Sequence, residues 1–422
     1  MQSPRPFRVL FLLALAKRLA GKRTLALAVL VSTIVTGLLQ AQTFNESVLY
    51  SFTGSPDGSG PVGDLVRDAQ GNLYGTTAGG GTFNTGAIFK LDASGTETIA
   101  YSFTGSNGDG AAPTAGLVLD GQGNLYGTTV AGGGAAGEGT IFRFNLTTGK
   151  QTVLYRFTGK VDGGRPLAGL IRDTKGVLYG TTSQGGNLND CSKLGCGTVF
   201  KVTITGTKSV ETVLYAFTGQ AGDGEMPIAR LLLDAHGNFY GTTRGGGEFN
   251  GGTVFKLDTT GKQTILHSFA EGSDGAEPQG GLVMDSKGNL YGTTTYFGGT
   301  GCLGGGFGCG TVFKVDNAGT ESVFYTFAGY PSDGANPCAD LIIDPQGNLY
   351  GTTEYGGDSN WGTAFKVNTS GRETLLYSFT EGILGGGPKA GLTRDSHGNL
   401  YGANSGGAQE DYNGFIFELT PP

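Results

Sequence analysis

The sequence predicts an all-β protein, a seven-bladed β-propeller with four antiparallel strands per blade. Three observations carry that prediction. Of 422 residues, 81 are Gly, without a three-residue period and with only 14 Pro, which excludes both a mainly helical chain and collagen. The string LYGTT, with its variants FYGTT and LYGAN, occurs seven times and places Tyr at 74, 126, 179, 240, 291, 350 and 401. Around each copy stand four short segments, rich in β-branched and aromatic residues and bounded by Gly, Asp, Asn or Pro.

The segments recur in a fixed order. A GLVLD-like run ends at Asp68, Asp120, Asp173, Asp234, Asp285, Asp344 or Asp395. LYGTT follows, then a GTVFK-like run with Phe89, Phe142, Phe200, Phe255, Phe313, Phe365 or Phe417. A VLYSF-like run ends the unit, its Phe at 52, 103, 157, 217, 269, 327 and 379. These runs of about five to seven residues are expected as strands A, B, C and D in that order. One four-stranded blade cannot bury both of its faces, whereas blades stacked around an axis cover one another. Small residues before strand A (Ala115-Gly116, Ala168-Gly169, Ala390-Gly391) suit crowding near the axis. In the A–B turn, Asp68-Ala69-Gln70-Gly71-Asn72 and its copies supply a capping carboxylate and a Gly for φ > 0.

The chain enters on a D-type segment, Val48–Phe52, and leaves on a C-type segment, Phe415–Leu419. With A innermost, the opening strand belongs to the last blade, and the two ends close the ring by backbone pairing. The rival phase puts VLYSF innermost and shares no blade.

The consensus DGxxPxAGLxxDxxGNLYGTTxxGG…GTVFKLDxxGxETVLYSFTG resembles the tandem GloVer repeat of bacterial exported proteins over residues 44–420, a choice-of-anchor group whose members vary in how they attach to the cell surface. The part PxxGLxxDxxGNLYG is also similar to NHL and gluconolactonase-like propellers, a resemblance that implies an innermost GLxxD strand. The repeat family implies no settled activity. The last copy departs from the pattern at Leu384-Gly385, Ala403-Asn404 and Glu418.

Residues 1–41 differ in kind. They carry Arg5, Arg8, Lys17, Arg18, Lys22 and Arg23, no acidic residue, and an apolar run from Leu25 to Leu39 ending near Ala41. This reads as a secretory signal peptide, with an N-terminal anchor as the alternative, and leaves 42–422 as a single propeller. Without those six basic residues, 22 Lys and Arg face 35 Asp and Glu, a net −13. That balance speaks against nucleic acid and against membrane contact beyond the leader. A monomeric protein in the periplasm, at the cell surface or outside the cell is expected.

In this phase the D–A and B–C loops share one rim. Two B–C loops carry insertions with paired cysteines, Cys191 with Cys196 and Cys302 with Cys309, read as disulfides in an exported chain. Zinc is the alternative, but no His is nearby. Cys338 stands alone beside Pro337, where burial is expected. The rim also gathers Phe83, Phe249, Tyr296, Phe297, Phe307, Tyr355 and the sole tryptophan, Trp361. Of these, Trp361, Tyr355, Tyr296, Phe297 and Phe249 are the ligand-binding candidates, since aromatic faces suit sugar rings or peptide partners; the alternative is that they pack the loops. Asp57, Asp109, Asp162, Asp223, Asp274 and Asp333, each followed by Gly, could offer Ca²⁺ a set of oxygens, although an Asp-Gly turn explains them without metal. Gly-Gly pairs such as Gly79-Gly80 and Gly356-Gly357 read as loop flexibility.

No motif supports catalysis: GxSxG and HExxH are absent, and none of His236, His267 and His397 accompanies a nucleophile motif. The repeats are nearly identical, and only the rim insertions stand out as breaking their symmetry. The expected function is non-enzymatic binding of carbohydrate or protein at the rim, with no required cofactor. The alternatives are a metal-dependent lyase or lactonase with its site in the central channel, and a purely structural surface protein.

Overall fold

A computed structural model describes residues 44–105, 108–220, 222–299, 302, 308–380, 387–406 and 413–422. The leader, Phe307 and Leu384-Gly385 therefore lie outside the described residues. The chain from Thr43 to Pro422 forms one compact unit. Among the described residues, no helix is long and apolar enough to cross a membrane.

Seven antiparallel sheets of four or five strands follow one another along the chain, with two separate two-stranded ladders between loops. In blade one, strand A is Val66–Arg67, B is Leu73–Gly80, C is Ala87–Leu91 and D is Glu97–Ser102, paired in that order. The seventh sheet orders Thr393–Arg394, Leu400–Asn404 and Phe415–Thr420, and Asn45–Ser51 adds the outer strand. Within that pair Val48 lies opposite Phe417 and Glu46 opposite Leu419.

The inner strands are shorter than the sequence suggests, with only two paired residues each. Near the axis the backbone turns its polar groups to the neighbouring blade instead of to strand B. Thr76 Oγ1 donates to Ala115 O at 3.0 Å, and Thr352 Oγ1 to Ala390 O at 3.0 Å. The first Thr of YGTT thus ties each of these blades to the next.

The YG pair has a steric cause. A Cβ on Gly75 would lie 2.6 Å from Phe89 Cζ and 2.9 Å from Leu65 Cδ2, so only Gly lets the C-strand ring cross beneath strand B. The Tyr before it reaches back to the A–B turn: Tyr74 Oη donates to Asp68 Oδ2 at 3.0 Å, while Asp68 Oδ1 accepts the Gln70 and Asn72 N–H groups. All seven tyrosines of this series make that bond, from 3.0 to 3.3 Å.

Between blades, the two Phe series meet one to one. Phe103 packs edge-on against Phe142 at 5.1 Å, Phe327 against Phe365 at 5.0 Å and Phe379 against Phe417 at 5.0 Å. The ring returns to its start at Phe52 and Phe89, 5.0 Å apart. Seven apolar clusters result, each shared by two adjacent blades; the cluster joining the last blade to the first contains Ala390, Tyr401, Ala403 and Ile416 together with Leu65, Leu73 and Leu91. Strand D carries a bulge in every blade, as between Val48 and Tyr50, which twists the outer edge.

Candidate binding face and axial channel

The D–A and B–C loops pair with each other and so share one face. Gly224 lies opposite Gly246, Gly334 opposite Gly356, and Gly58 opposite Gly80. This corrects the expectation of flexible glycine loops. The glycines form short backbone ladders in which a Cβ on Gly246 would meet Asp223 O at 2.7 Å.

Two properties set this face apart from the other. Among the described residues, the large apolar side chains exposed on loops are Phe83, Val161, Leu188, Leu194, Phe249, Tyr330 and Tyr355, and every one belongs to a D–A or B–C loop. Left-handed φ at non-Gly residues follows the same division. All 13 described cases, among them Arg165, Met226, Glu277 and Phe297, lie in those loops, while the described A–B and C–D turns use Gly. Backbone held in a disfavoured region and pinned there is a mark of functional surfaces. Met226 illustrates the pinning: its N–H donates to Cys196 O at 2.9 Å and its carbonyl accepts from Arg244 N at 3.1 Å.

The aromatic candidates divide. Phe249 and Tyr355 are exposed. Tyr296 and Phe297 are half-buried on the neighbouring blade, and the Tyr296 hydroxyl acts on that of Tyr355. The Glu354 carboxylate beside it is the main cause that raises the Tyr355 phenol above its usual range. Trp361 is half-buried as well, packed against the cluster of Phe379, Leu392 and Phe415.

Both predicted disulfides are formed, Cys191–Cys196 and Cys302–Cys309, each with a Cα–Cα distance of 5.3 Å. Glu225 Oε2 lies 3.0 Å from Cys191 Sγ, but sulfurs bonded to each other offer no thiolate to a metal. The Asp-Gly carboxylates are taken up by their own loops. Asp57 Oδ2 accepts from the Tyr50 hydroxyl at 3.0 Å and the Thr53 N–H at 2.8 Å, and Oδ1 accepts the Gly58 N–H at 2.6 Å.

On the axis, the segments before each strand A line a cavity of about 420 Å³. Its walls break the symmetry of the repeats. The motif PxxGL has Gly116, Gly169, Gly281 and Gly391 in four blades but Asp64, Arg230 and Asp340 in the other three. Arg230 Nε lies 3.0 Å from Asp340 Oδ2. Asp340 Oδ1 accepts the Gly281 N–H at 2.5 Å, and Asp64 Oδ1 the Gly391 N–H at 2.7 Å. Burial, with Asp340 beside it, holds the Asp64 carboxyl above the usual carboxylate range. Two further pairs reach this cavity, Arg244 Nε with Glu277 Oε2 at 2.9 Å and Lys389 Nζ with Glu354 Oε1 at 3.1 Å. Cys338 lines it too, its thiol pushed up to about 12, first by burial. Among the described residues, the carboxylates at the channel are each engaged: Asp340 by the Arg230 guanidinium and the Gly281 N–H, Asp64 by the Gly391 N–H, Glu277 by Arg244 and Glu354 by Lys389.

The model of the Gloeobacter/Verrucomicrobia repeat matches residues 33–194, 191–304 and 296–422. The chain belongs to that repeat family. Among curated proteins, none matches it in sequence. Among solved structures, this Gloeobacter/Verrucomicrobia-repeat propeller is similar to a chain of a nidogen/laminin complex, at 16% identity, covering 70% of this chain and 91% of that one, with a TM-score of 0.41. It is also similar to a gluconolactonase from Xanthomonas campestris (13% identity, 90% and 92% covered, TM-score 0.42) and to TolB from Acinetobacter baumannii (13%, 86% and 69%, 0.42).

The axial charges of the repeat propeller are the symmetry-breaking residues that sequence reasoning passed over. They correct the view that only the rim insertions break the repeat. Setting the seven PxxGL segments side by side exposes them, because Asp, Arg and Asp replace a residue that has no side chain.

Proposed function

We propose that this repeat propeller is an exported, non-catalytic binding protein, acting as a monomer, whose D–A/B–C face docks a protein partner. The observation that carries the reading is the segregation of every described loop-borne exposed large apolar side chain to that face. Phenyl and aliphatic groups such as Phe83, Val161, Leu194 and Phe249 suit a protein surface better than a sugar ring. Two disulfides on the same face fit an oxidising compartment.

A second reading places a saccharide at the axial mouth. Tyr296, Tyr355, Glu354 and Lys389 stand together there and combine ring faces with fixed donors and acceptors.

The test compares the wild type with a Phe83→Ser/Phe249→Ser/Tyr355→Ser variant of unchanged melting temperature. Both are titrated with envelope proteins of the producing cell and with a glycan panel. Saturable protein binding that the variant loses supports the first reading. Glycan binding that a Phe83→Ser/Phe249→Ser variant keeps and a Tyr355→Ser variant loses, the two titrated in parallel, supports the second. Protein binding of equal strength in both forms overturns the first.

A further inference from the structure

The outer strands of neighbouring blades are joined by a repeated carboxyl cluster to which no function is yet attached. At five junctions a Tyr near the end of one strand D donates to the Asp of the following D–A loop: Tyr50 to Asp57, Tyr101 to Asp109, Tyr155 to Asp162, Tyr215 to Asp223 and Tyr325 to Asp333, at 2.8 to 3.1 Å. At the remaining Asp-Gly junction His267 Nε2 takes the tyrosine's place, 3.2 Å from Asp274 Oδ2. A side chain from the start of the next strand D faces five of these six Asp residues. In four blades it is a glutamate: Glu97 by Asp57, Glu211 by Asp162, Glu321 by Asp274 and Glu373 by Asp333.

Two carboxyl groups can bond to each other only through a proton that one of them carries. Oε1 of each of these four glutamates is buried and lacks a hydrogen-bond partner among the described residues. The chain itself supplies the comparison. In the other two Asp-Gly junctions the position is Gln151 or Gln263, the isostere of a protonated Glu. Gln263 Nε2 donates to Asp223 Oδ1 at 3.3 Å, where an acid proton would point; Gln151 keeps its Nε2 buried and unpartnered among the described residues. At the seventh junction Glu46 takes the tyrosine bond itself, from Tyr377.

We propose that Glu97, Glu211, Glu321 and Glu373 stand in the folded ring as neutral acids, each directing its proton at the facing Asp, so that they form proton-dependent clamps between blades that tighten below neutral pH and slacken above it. The groups acting on each are few. Glu97 feels Asp57 and the Tyr50 hydroxyl, Glu211 Asp162, Glu321 Asp274 and Glu373 Asp333; Tyr155 and Tyr325 feel Glu211 and Glu373 in turn, and His267 stands on the far side of Asp274. No lysine or arginine among the described residues acts on the four. Burial first, and the facing Asp second, push all four carboxyls up to about 7. A carboxyl raised in the folded state stabilises fully below its unfolded value, near 4.5, and that stabilisation is lost as pH rises towards 7.

The test uses the full chain and its Glu97→Gln/Glu211→Gln/Glu321→Gln/Glu373→Gln variant, melted between about pH 5 and about pH 8. The wild type should lose several degrees of melting temperature across this range, and the variant should lose clearly less and melt higher at the alkaline end. In the wild type at about pH 6, the infrared carbonyl band of protonated carboxyl groups should be present, and the variant should lack most of it. Equal pH slopes in the two proteins would overturn the proposal. So would a calcium-dependent rise in wild-type melting temperature at alkaline pH that the variant lacks, since the pairs would then be cation sites. Where the quadruple variant fails to fold, the wild-type infrared titration decides alone: a band already absent at about pH 6 contradicts the clamps.

Discussion

The Tyr377 hydroxyl donates to Glu46 Oε2 at 2.7 Å, joining residues 331 positions apart in the chain. The bond exists because the opening strand lies as the outer strand of the last blade, beside the strand that carries Tyr377. Tyr377→Phe removes one hydrogen bond to a half-buried carboxylate and should cost about 1–2 kcal/mol. A urea titration that returns an unchanged midpoint would show the contact to be idle.

The ring of Phe pairs should dominate stability. Phe89 is fully buried between Phe52 and Gly75. Phe89→Ala leaves a cavity across the first and last blades and should cost about 3–5 kcal/mol. Phe52→Ala should cost nearly as much, and the double substitution less than the sum, because the two rings share one interface. Equilibrium unfolding of the three variants measures this.

The A–B turns set an acid limit. Asn72, Asn124 and their counterparts, with turn N–H groups and the YG tyrosines, hold Asp68, Asp120, Asp234, Asp285, Asp344 and Asp395 below the usual range against the opposing effect of burial. A depressed carboxyl stabilises above its unfolded value, near 3.8, and the stabilisation disappears as pH falls through the folded value. Melting temperature should therefore drop steeply below about pH 4. Asp120→Asn should shallow that drop, read from a melting series in acid.

Arg230 balances two acids on the axis. Arg230→Met leaves Asp64 and Asp340 facing each other without a cation, so the loss of stability should be greater at about pH 8 than at about pH 5, where a proton can replace the guanidinium. Scanning calorimetry at both values measures the difference; an equal loss would show that Arg230 acts through packing.

The sequence carries the fold because the same short signals recur: a Tyr-Gly pair, a turn Asp and two Phe positions, each with a steric or hydrogen-bonding role once folded. It carries the disulfides because two insertions hold two cysteines each. It does not carry the partnership of Trp361, since exposure depends on the neighbouring blade's Phe415. The facing of Glu97 and Asp57 is equally hidden: the two are forty residues apart, and the D-strand bulge shifts the alternation of side chains. Asp64, Arg230 and Asp340 are visible in the letters, but only the closed ring brings them together.

Amide hydrogen exchange over Asn45–Ser51 tests the closed seven-blade ring most directly. As the outer strand of the last blade, this segment should exchange as slowly as Glu373–Ser378 and lose protection together with Phe415–Thr420. Exchange at the rate of an unstructured peptide, with Phe415–Thr420 still protected, would contradict the closure and the shared face built upon it.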